Sequence, residues 1–351
     1  MNRGGSWGSR RAGLGTALAD TYDVYAQKAY TTANNAGATA WHEDGTPLCT
    51  ASLNQWYPTV IDALFGYAIS VWHDGRIGTN GLFDIYAQRM TNADGGANWG
   101  QDGAVVTNAA GDQTFPVGVE DGQGGVIIAW WDTRNGEHGI YAQRLNADGQ
   151  RQWTPDVRIC YHAGSEVGLP VITSDLNGGA IIAWEDERNL GTTSTDIYAQ
   201  RVNGEGEGQW GTNGREVCRA AGIQQEIAIV SDQFTNGAIL AWTDKRDLAT
   251  TGNDVYAQRV HGNGPLQWAA NGVAACNSNG HQSRPALEID QVGGAIVAWE
   301  DGRGAVTSIY AQRLNLAGQN QWAAQGKRVT NAQSHAPTLV TDWFAGAIVA
   351  W

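Results

Sequence analysis

The chain has 351 residues, 42% of them hydrophobic and 16% charged, with 47 glycines, 16 tryptophans and two methionines. A formal charge of −13 excludes the basic face that binding to a phosphate backbone needs and disfavours docking on anionic lipid. No apolar run approaches the roughly 20 residues of a membrane-spanning helix, and the recurring short apolar or alternating runs between glycine turns predict strands rather than helices.

The first segment, residues 1–20, reads as a tail or the remnant of a repeat. Arg3, Arg10 and Arg11 flank a stretch, Ala12 to Ala19, that is too glycine-rich for the apolar core of a signal peptide. Residues 4–11, with Trp7, faintly echo a second strand and its loop. From residue 21 to 351 the chain is one array. Tyr-Ala-Gln begins at Tyr25, Tyr86, Tyr141, Tyr198, Tyr256 and Tyr310. An apolar run ends in tryptophan at Trp72, Trp130, Trp184, Trp242, Trp299 and Trp351. A second tryptophan recurs at Trp41, Trp99, Trp153, Trp210, Trp268 and Trp322, and an aspartate precedes each apolar run at Asp62, Asp121, Asp175, Asp232, Asp290 and Asp342. Spacings of 52 to 61 residues are those of a repeat architecture.

One unit reads as four strands. Pro170 to Ser174 is short and turns at Asp175-Leu176-Asn177-Gly178. Gly179 to Trp184 is apolar on both faces, as a strand sandwiched between sheets should be. Trp-x-Asp-x-Arg leads into Asp196 to Val202, a tight hairpin turn follows, and a fourth strand ends near Cys218. Four strands in about 55 residues predict a β-propeller blade. The array starts at Asp23 with strands three and four and reaches Trp351 after strands one and two. The expectation is therefore an all-β, six-bladed propeller with one blade split between the termini, its ring closed by pairing of the N- and C-terminal strands so that no edge stays open. Seven blades is the alternative.

The unit resembles the repeat of the TolB-type propellers, on Pro170 with Asp175, the run to Trp184, Asp186 with Arg188, and Ile197-Tyr198. It departs in the tryptophan that ends strand two and in the Ala-Gln-Arg after the tyrosine. It is closer to the Ile-Tyr-Ala-Gln-Arg repeats of large bacterial surface proteins. The resemblance implies a propeller at the cell surface, in the periplasm or outside the cell, and brings no catalytic residues with it.

Residues present in every unit are read as structure. The Asp and Arg of Trp-x-Asp-x-Arg (Asp74/Arg76, Asp132/Arg134, Asp186/Arg188, Asp244/Arg246, Asp301/Arg303) brace a turn through charge-assisted hydrogen bonds. Arg89, Arg144, Arg201, Arg259 and Arg313 pair with carbonyls or acids between blades. Cys49, Cys160, Cys218 and Cys276 share one repeat position, too far apart for disulfides, and are expected to be buried free thiols. No Cys-x-x-Cys or paired histidines suggest zinc, no alternating acids suggest calcium, and no phosphate-binding glycine loop is present, so neither metal nor cofactor is expected.

Function is sought where the units differ, in the loops ahead of strand one and after strand two. Trp56, Tyr57, Phe115, Glu226, Arg284 and His335 stand in the first set; His73 and Trp131 follow the strand-two tryptophan, as do Glu185, Thr243 and Glu300; Glu166 lies in the same loops. Aromatic faces with a few polar groups suit a carbohydrate or a peptide. The reading from sequence is a non-catalytic binding or scaffold propeller whose ligand, a protein or carbohydrate, sits at the channel mouth. The alternative is a hydrolase or lyase, with Glu166 and Glu226 as paired carboxylates or His73 or His335 as the base.

Overall fold

The computed structural model describes residues 5–11, 22–28, 41–42, 44–77, 82–136 and 138–351. Most of the expected tail, 1–20, lies outside them. The described chain is entirely strands and turns. It divides into two compact units, Met1–Arg158 with Gly204–Gly206, and Ile159–Asn203 with Glu207–Trp351.

In the first unit β1 (Gly5–Arg11), β2 (Tyr22–Lys28) and β3 (Thr46–Cys49) form a three-stranded sheet. A four-stranded sheet follows, β4 (Gln55–Asp62), β5 (Tyr67–Asp74), β6 (Asp84–Thr91) and β7 (Ala104–Thr107). The next is β8 (Gln113–Glu120), β9 (Val126–Asp132), β10 (Gly139–Leu145) and β11 (Val157–Cys160), and the division between the units falls inside β11.

The second unit holds three more four-stranded sheets. They are β12 (Val171–Ser174), β13 (Ala180–Asp186), β14 (Asp196–Val202) and β15 (Arg215–Cys218); β16 (Gln224–Asp232), β17 (Gly237–Asp244), β18 (Asp254–Val260) and β19 (Val273–Cys276); and β20 (Gln282–Ile289), β21 (Ala295–Asp301), β22 (Ser308–Leu314) and β23 (Lys327–Arg328). The last sheet has two strands, β24 (Thr338–Thr341) and β25 (Ala347–Ala350).

The expected pairing of the first and last strands is not the one these strands adopt. β2 takes β1 as its neighbour, with Gly8 opposite Tyr25, and β25 pairs with β24. An exposed strand edge takes the extended segment that is near in sequence, because that loop costs little entropy to close.

The second strands of the five four-stranded sheets are mostly apolar and almost wholly buried, and every residue of β17 is buried. Its tryptophan then fixes the turn beyond it. The indole Nε1–H of Trp72, Trp130, Trp184, Trp242 and Trp299 donates to the aspartate two residues on at 2.7–2.8 Å. That aspartate holds the arginine two residues further, at 2.5–2.6 Å, and the guanidinium lies over the tyrosine of Tyr-Ala-Gln, as Arg188 does over Tyr198 at 3.7 Å. The strand-three arginines reach both ways. Arg201 pairs with Asp175 in its own sheet and donates to the carbonyl of Gly262 in the next repeat. Trp210 Nε1–H donates to the same carbonyl at 2.9 Å.

Tyr-Ala-Gln has its own reason. Gln258 Oε1 accepts the backbone N–H of Trp268, and its amide donates to the carbonyl of Ala269 at 2.8 Å; Gln88, Gln143, Gln200 and Gln312 do the same for their own tryptophans. The four cysteines are free and buried, each with an arginine Nη2 against its sulfur.

Candidate functional site

The loops that differ between repeats meet at the start of each first strand. There the register slips, as between Trp56 and Thr59 opposite β5. The residue in the slip adopts the left-handed region at Tyr57 (φ 51), Phe115 (φ 51), Glu226 (φ 58) and Arg284 (φ 51), and Ala336 (φ 51), ahead of β24, does the same. For a residue with a side chain this costs about 1–2 kcal/mol, and such strain gathers where a side chain must be aimed. The backbone N–H so displaced is caught by the residue after the tryptophan in the preceding repeat. His73 Nδ1 accepts from Phe115 at 3.4 Å, Glu185 Oε1 from Glu226 at 2.8 Å, Thr243 Oγ1 from Arg284 at 3.2 Å and Glu300 Oε1 from Ala336 at 2.8 Å. The post-tryptophan residues therefore couple one repeat to the next.

In the first unit the expected residues Trp56, Tyr57, His73, Phe115 and Trp131 come together, and two more rings join them. His73 lies 5.1 Å from Tyr57, 6.1 Å from Trp56, 5.7 Å from Phe115 and 4.8 Å from Phe83. Tyr57 lies 5.3 Å from Phe115, which lies 6.0 Å from Trp131, and Trp131 stacks on His138 at 4.0 Å. Tyr57 is 63% exposed and Trp131 half-buried, so the cluster presents ring faces outward. His73 does not. It is 2% exposed, burial pushes its pKa down to about 4, and with Nδ1 accepting, the proton of its neutral form sits on Nε2, where it has no partner. The expectation that His73 is a base is corrected: a buried imidazole that takes a backbone N–H is a structural acceptor.

In the second unit Glu226, Arg284 and His335 are joined by Thr243 and Glu300. Glu226 Oε2 accepts from the Thr243 hydroxyl at 2.7 Å and from the N–H of Arg284 at 2.9 Å. Glu300, 8% exposed, holds three groups. Beyond Ala336, its Oε1 accepts from Arg284 Nη1 at 3.2 Å and its Oε2 meets His335 Nδ1 at 3.2 Å. Burial alone would raise Glu300, but the N–H of Ala336, then His335 and Arg284, hold it below the ordinary glutamate value. An ionised Oε2 requires the imidazole proton on Nδ1, and the amide of Gln333 donating to Nε2 at 3.3 Å fits the same tautomer. The lone pair of His335 is thus on Nε2, in a half-exposed ring, beside an Arg284 side chain that is 60% exposed.

Glu166 lies on an exposed loop ahead of β12, where its carbonyl accepts from the backbone N–H of Glu187. The carboxylate against the Glu226 segment is Glu185, raised by burial and by the neighbouring charge of Glu226. Gly168 permits the chain to pass here, because a Cβ on it would lie 2.8 Å from that of Glu185. Sequence reasoning placed Glu185 and Glu300 in the right loops without seeing that Glu300 is the hub. Phe83 and His138 were missed, since each sits at the end of a loop with no repeat marker. Among the described residues no cluster of His, Cys, Asp and Glu could hold a metal.

No protein-family model matches the sequence, and neither does any curated protein. Solved structures do. The chain is similar to a polysaccharide lyase, a PL25 ulvan lyase bound to a GlcA-Rha3S repeat, at 11% identity over 80% of this chain and 71% of that one, with a TM-score of 0.51. It is also similar to the α-L-arabinanase of Penicillium chrysogenum complexed with arabinobiose, at 12% identity over 82% and 84%, TM-score 0.49. A third is a protein described as TolB from Agrobacterium tumefaciens, at 11% over 81% and 86%, TM-score 0.40. The fold is an all-β propeller of antiparallel sheets; these likenesses do not single out the repeat type. The expectation of a non-catalytic binding or scaffold propeller is corrected, because the solved structure matched at a TM-score of 0.51 is a polysaccharide lyase. No described helix is long and apolar enough to cross a membrane.

Proposed function

We propose that the protein is a carbohydrate-active enzyme that cleaves a polysaccharide, with His335 as its base, Glu300 as the carboxylate that orients it, and Arg284 beside it. The observation that carries this reading is the arrangement around Glu300: a buried, ionised carboxylate fixes the tautomer of a histidine whose lone pair is left on the outer nitrogen. A base so oriented is what proton abstraction requires. Within the second unit Glu226 and Thr243 aim Arg284; in the first unit the rings of Trp56, Tyr57, Phe115 and Trp131 are by themselves a surface of the kind that takes partly apolar sugar rings. Glu166 and His73 contribute loop chemistry and support. The scaffold is a propeller of about six blades, five of them the complete four-stranded sheets. A polymeric substrate places the enzyme outside the cytoplasm, at the surface, in the periplasm or in the medium.

Incubation with a panel of neutral and acidic polysaccharides, read by release of reducing ends, tests this. The wild type is expected to cleave at least one, and Glu300→Gln and His335→Ala to lose about a hundredfold or more in kcat with an unchanged melting temperature. Glutamine keeps an acceptor for the Ala336 N–H, so the fold survives that change. A wild type inactive on every polymer, or an unimpaired His335→Ala, would overturn the reading.

A further inference from the structure

Arg284 has a geometry that the acid–base reading alone does not use. Its backbone is held in the left-handed region by two acceptors, Glu226 Oε2 and Thr243 Oγ1. Its guanidinium makes one hydrogen bond, Nη1 to Glu300 at 3.2 Å, and 60% of the side chain faces solvent. A guanidinium carries five N–H donors in a rigid fork suited to a carboxylate, so most of this fork remains open. His335 is bonded to the other oxygen of the same carboxylate, so Glu300 gathers the open fork and the imidazole at one point; Nε2 accepts from the amide of Gln333 at 3.3 Å, a bond that a substrate proton would replace.

We propose that Arg284 binds the carboxylate of a uronate residue, so that the substrate is an acidic polysaccharide and the reaction a β-elimination. This rests on the reading of His335 as the base. The electrostatic logic is direct. The proton α to a sugar carboxylate is removable only if the negative charge that develops on the carboxylate oxygens is stabilised, and a fixed cation at that point does so. A neutral sugar gives the fork nothing to bind.

The step balances within the substrate and these two residues. His335 Nε2 takes the proton from C5 of the uronate. The electrons of that C–H bond form the C4–C5 double bond. The C4–O bond breaks, its electrons stay on the departing oxygen, and that oxygen takes a proton from water; His335 returns its own proton to solvent. Nothing is oxidised or reduced overall, and one chain becomes two, one of them ending in an unsaturated uronate.

Two readouts test the proposal. Polyuronates and neutral glycans are compared by reducing ends and by the ultraviolet absorbance of the unsaturated product. The expected result is cleavage of a polyuronate with absorbance and reducing ends rising together. The second readout is binding without turnover. His335→Ala should still bind an oligouronate, while Arg284→Gln in the same background should bind about a hundredfold more weakly. That difference should vanish when the carboxylates are esterified, which a merely structural role for Arg284 would not produce. Cleavage of neutral glycans alone, without absorbance, overturns the uronate proposal and leaves the enzyme reading intact; equal binding by the arginine variant overturns it as well. No cleavage of any polymer would instead remove the enzyme reading beneath it.

Discussion

Glu185 and Glu300 occupy the same repeat position, directly after the strand-two tryptophan, and do different chemistry. Each accepts the N–H of the residue in the left-handed bulge of the following repeat. What surrounds that shared bond separates them: Glu185 is raised first by burial and then by the neighbouring carboxylate of Glu226, whereas at Glu300 burial is outweighed by the N–H of Ala336 together with His335 and Arg284, which lower it. The class of position was legible in the sequence, because the loops were known to carry the variable residues. The choice between two glutamates was not, because it depends on side chains some 35 and 40 residues away that meet only when the repeats stack. The cysteines show the opposite case, where repetition alone sufficed. Burial pushes Cys49, Cys160 and Cys218 up to about 12 and Cys276 to about 11, and the thiolate is the reacting form. Folded protein should therefore react with an aromatic disulfide reagent about a hundredfold or more slowly than a small thiol, and titrate all four cysteines on unfolding. Rapid modification of any of them in the folded state would contradict the buried placement.

The strands owe their order to the repeat, and the repeat was readable because each marker residue makes the same bond each time. Tyr-Ala-Gln was visible as a motif; its purpose was not, since nothing in composition shows that the glutamine amide ties strand three to the segment that begins strand four. On β18, in the second four-stranded sheet of the second unit, Gln258 Oε1 accepts from both Trp268 and Arg259 and its amide donates to Ala269, all in a fully buried side chain. Gln258→Leu removes these bonds and strands two backbone N–H groups, each costing about 1–3 kcal/mol when buried and unpaired. A loss of about 3 kcal/mol in chemical denaturation is expected; a change under about 0.5 kcal/mol would mean that water or a shifted backbone replaces the glutamine. The first sheet marks the limit of this kind of reading. Gly5–Arg11 carries only a weak echo of a second strand, yet it pairs along the whole of β2, because backbone hydrogen bonding at an open edge needs little from side chains.

Across the molecule, stability should respond to pH through a carboxylate position repeated at the start of strand three. Asp84 and Asp254 are pushed up to about 6, chiefly by burial and then by neighbouring aspartates, Asp74 and Asp112 for the first and Asp247 and Asp244 for the second, with Thr251 opposing the shift at Asp254. One carboxylate oxygen of Asp254 is buried with no partner, which is consistent with a group that burial favours in its neutral form. The folded protein then holds more protons than the unfolded chain between about pH 4 and pH 6, so stability falls as pH rises through that window and stays lower above it. Asp186 and Asp232 act in the opposite direction: despite burial, their bonds to Arg188 and Arg259 hold them below the usual value, and the stability they contribute is lost only as pH falls below about 4. His73 opposes the first set: burial holds it down at about 4, so between about pH 6.5 and pH 4 the unfolded chain takes up a proton that the folded one does not, and stability falls with falling pH through that group. Asp254→Asn keeps an acceptor for Thr251 and removes the charge. It should raise the melting temperature at about pH 8 by a degree or two and leave it nearly unchanged at about pH 4.5, where the wild-type carboxyl is already largely protonated. A variant that melts in parallel with the wild type at both pH values would show that Asp254 ionises normally in the fold.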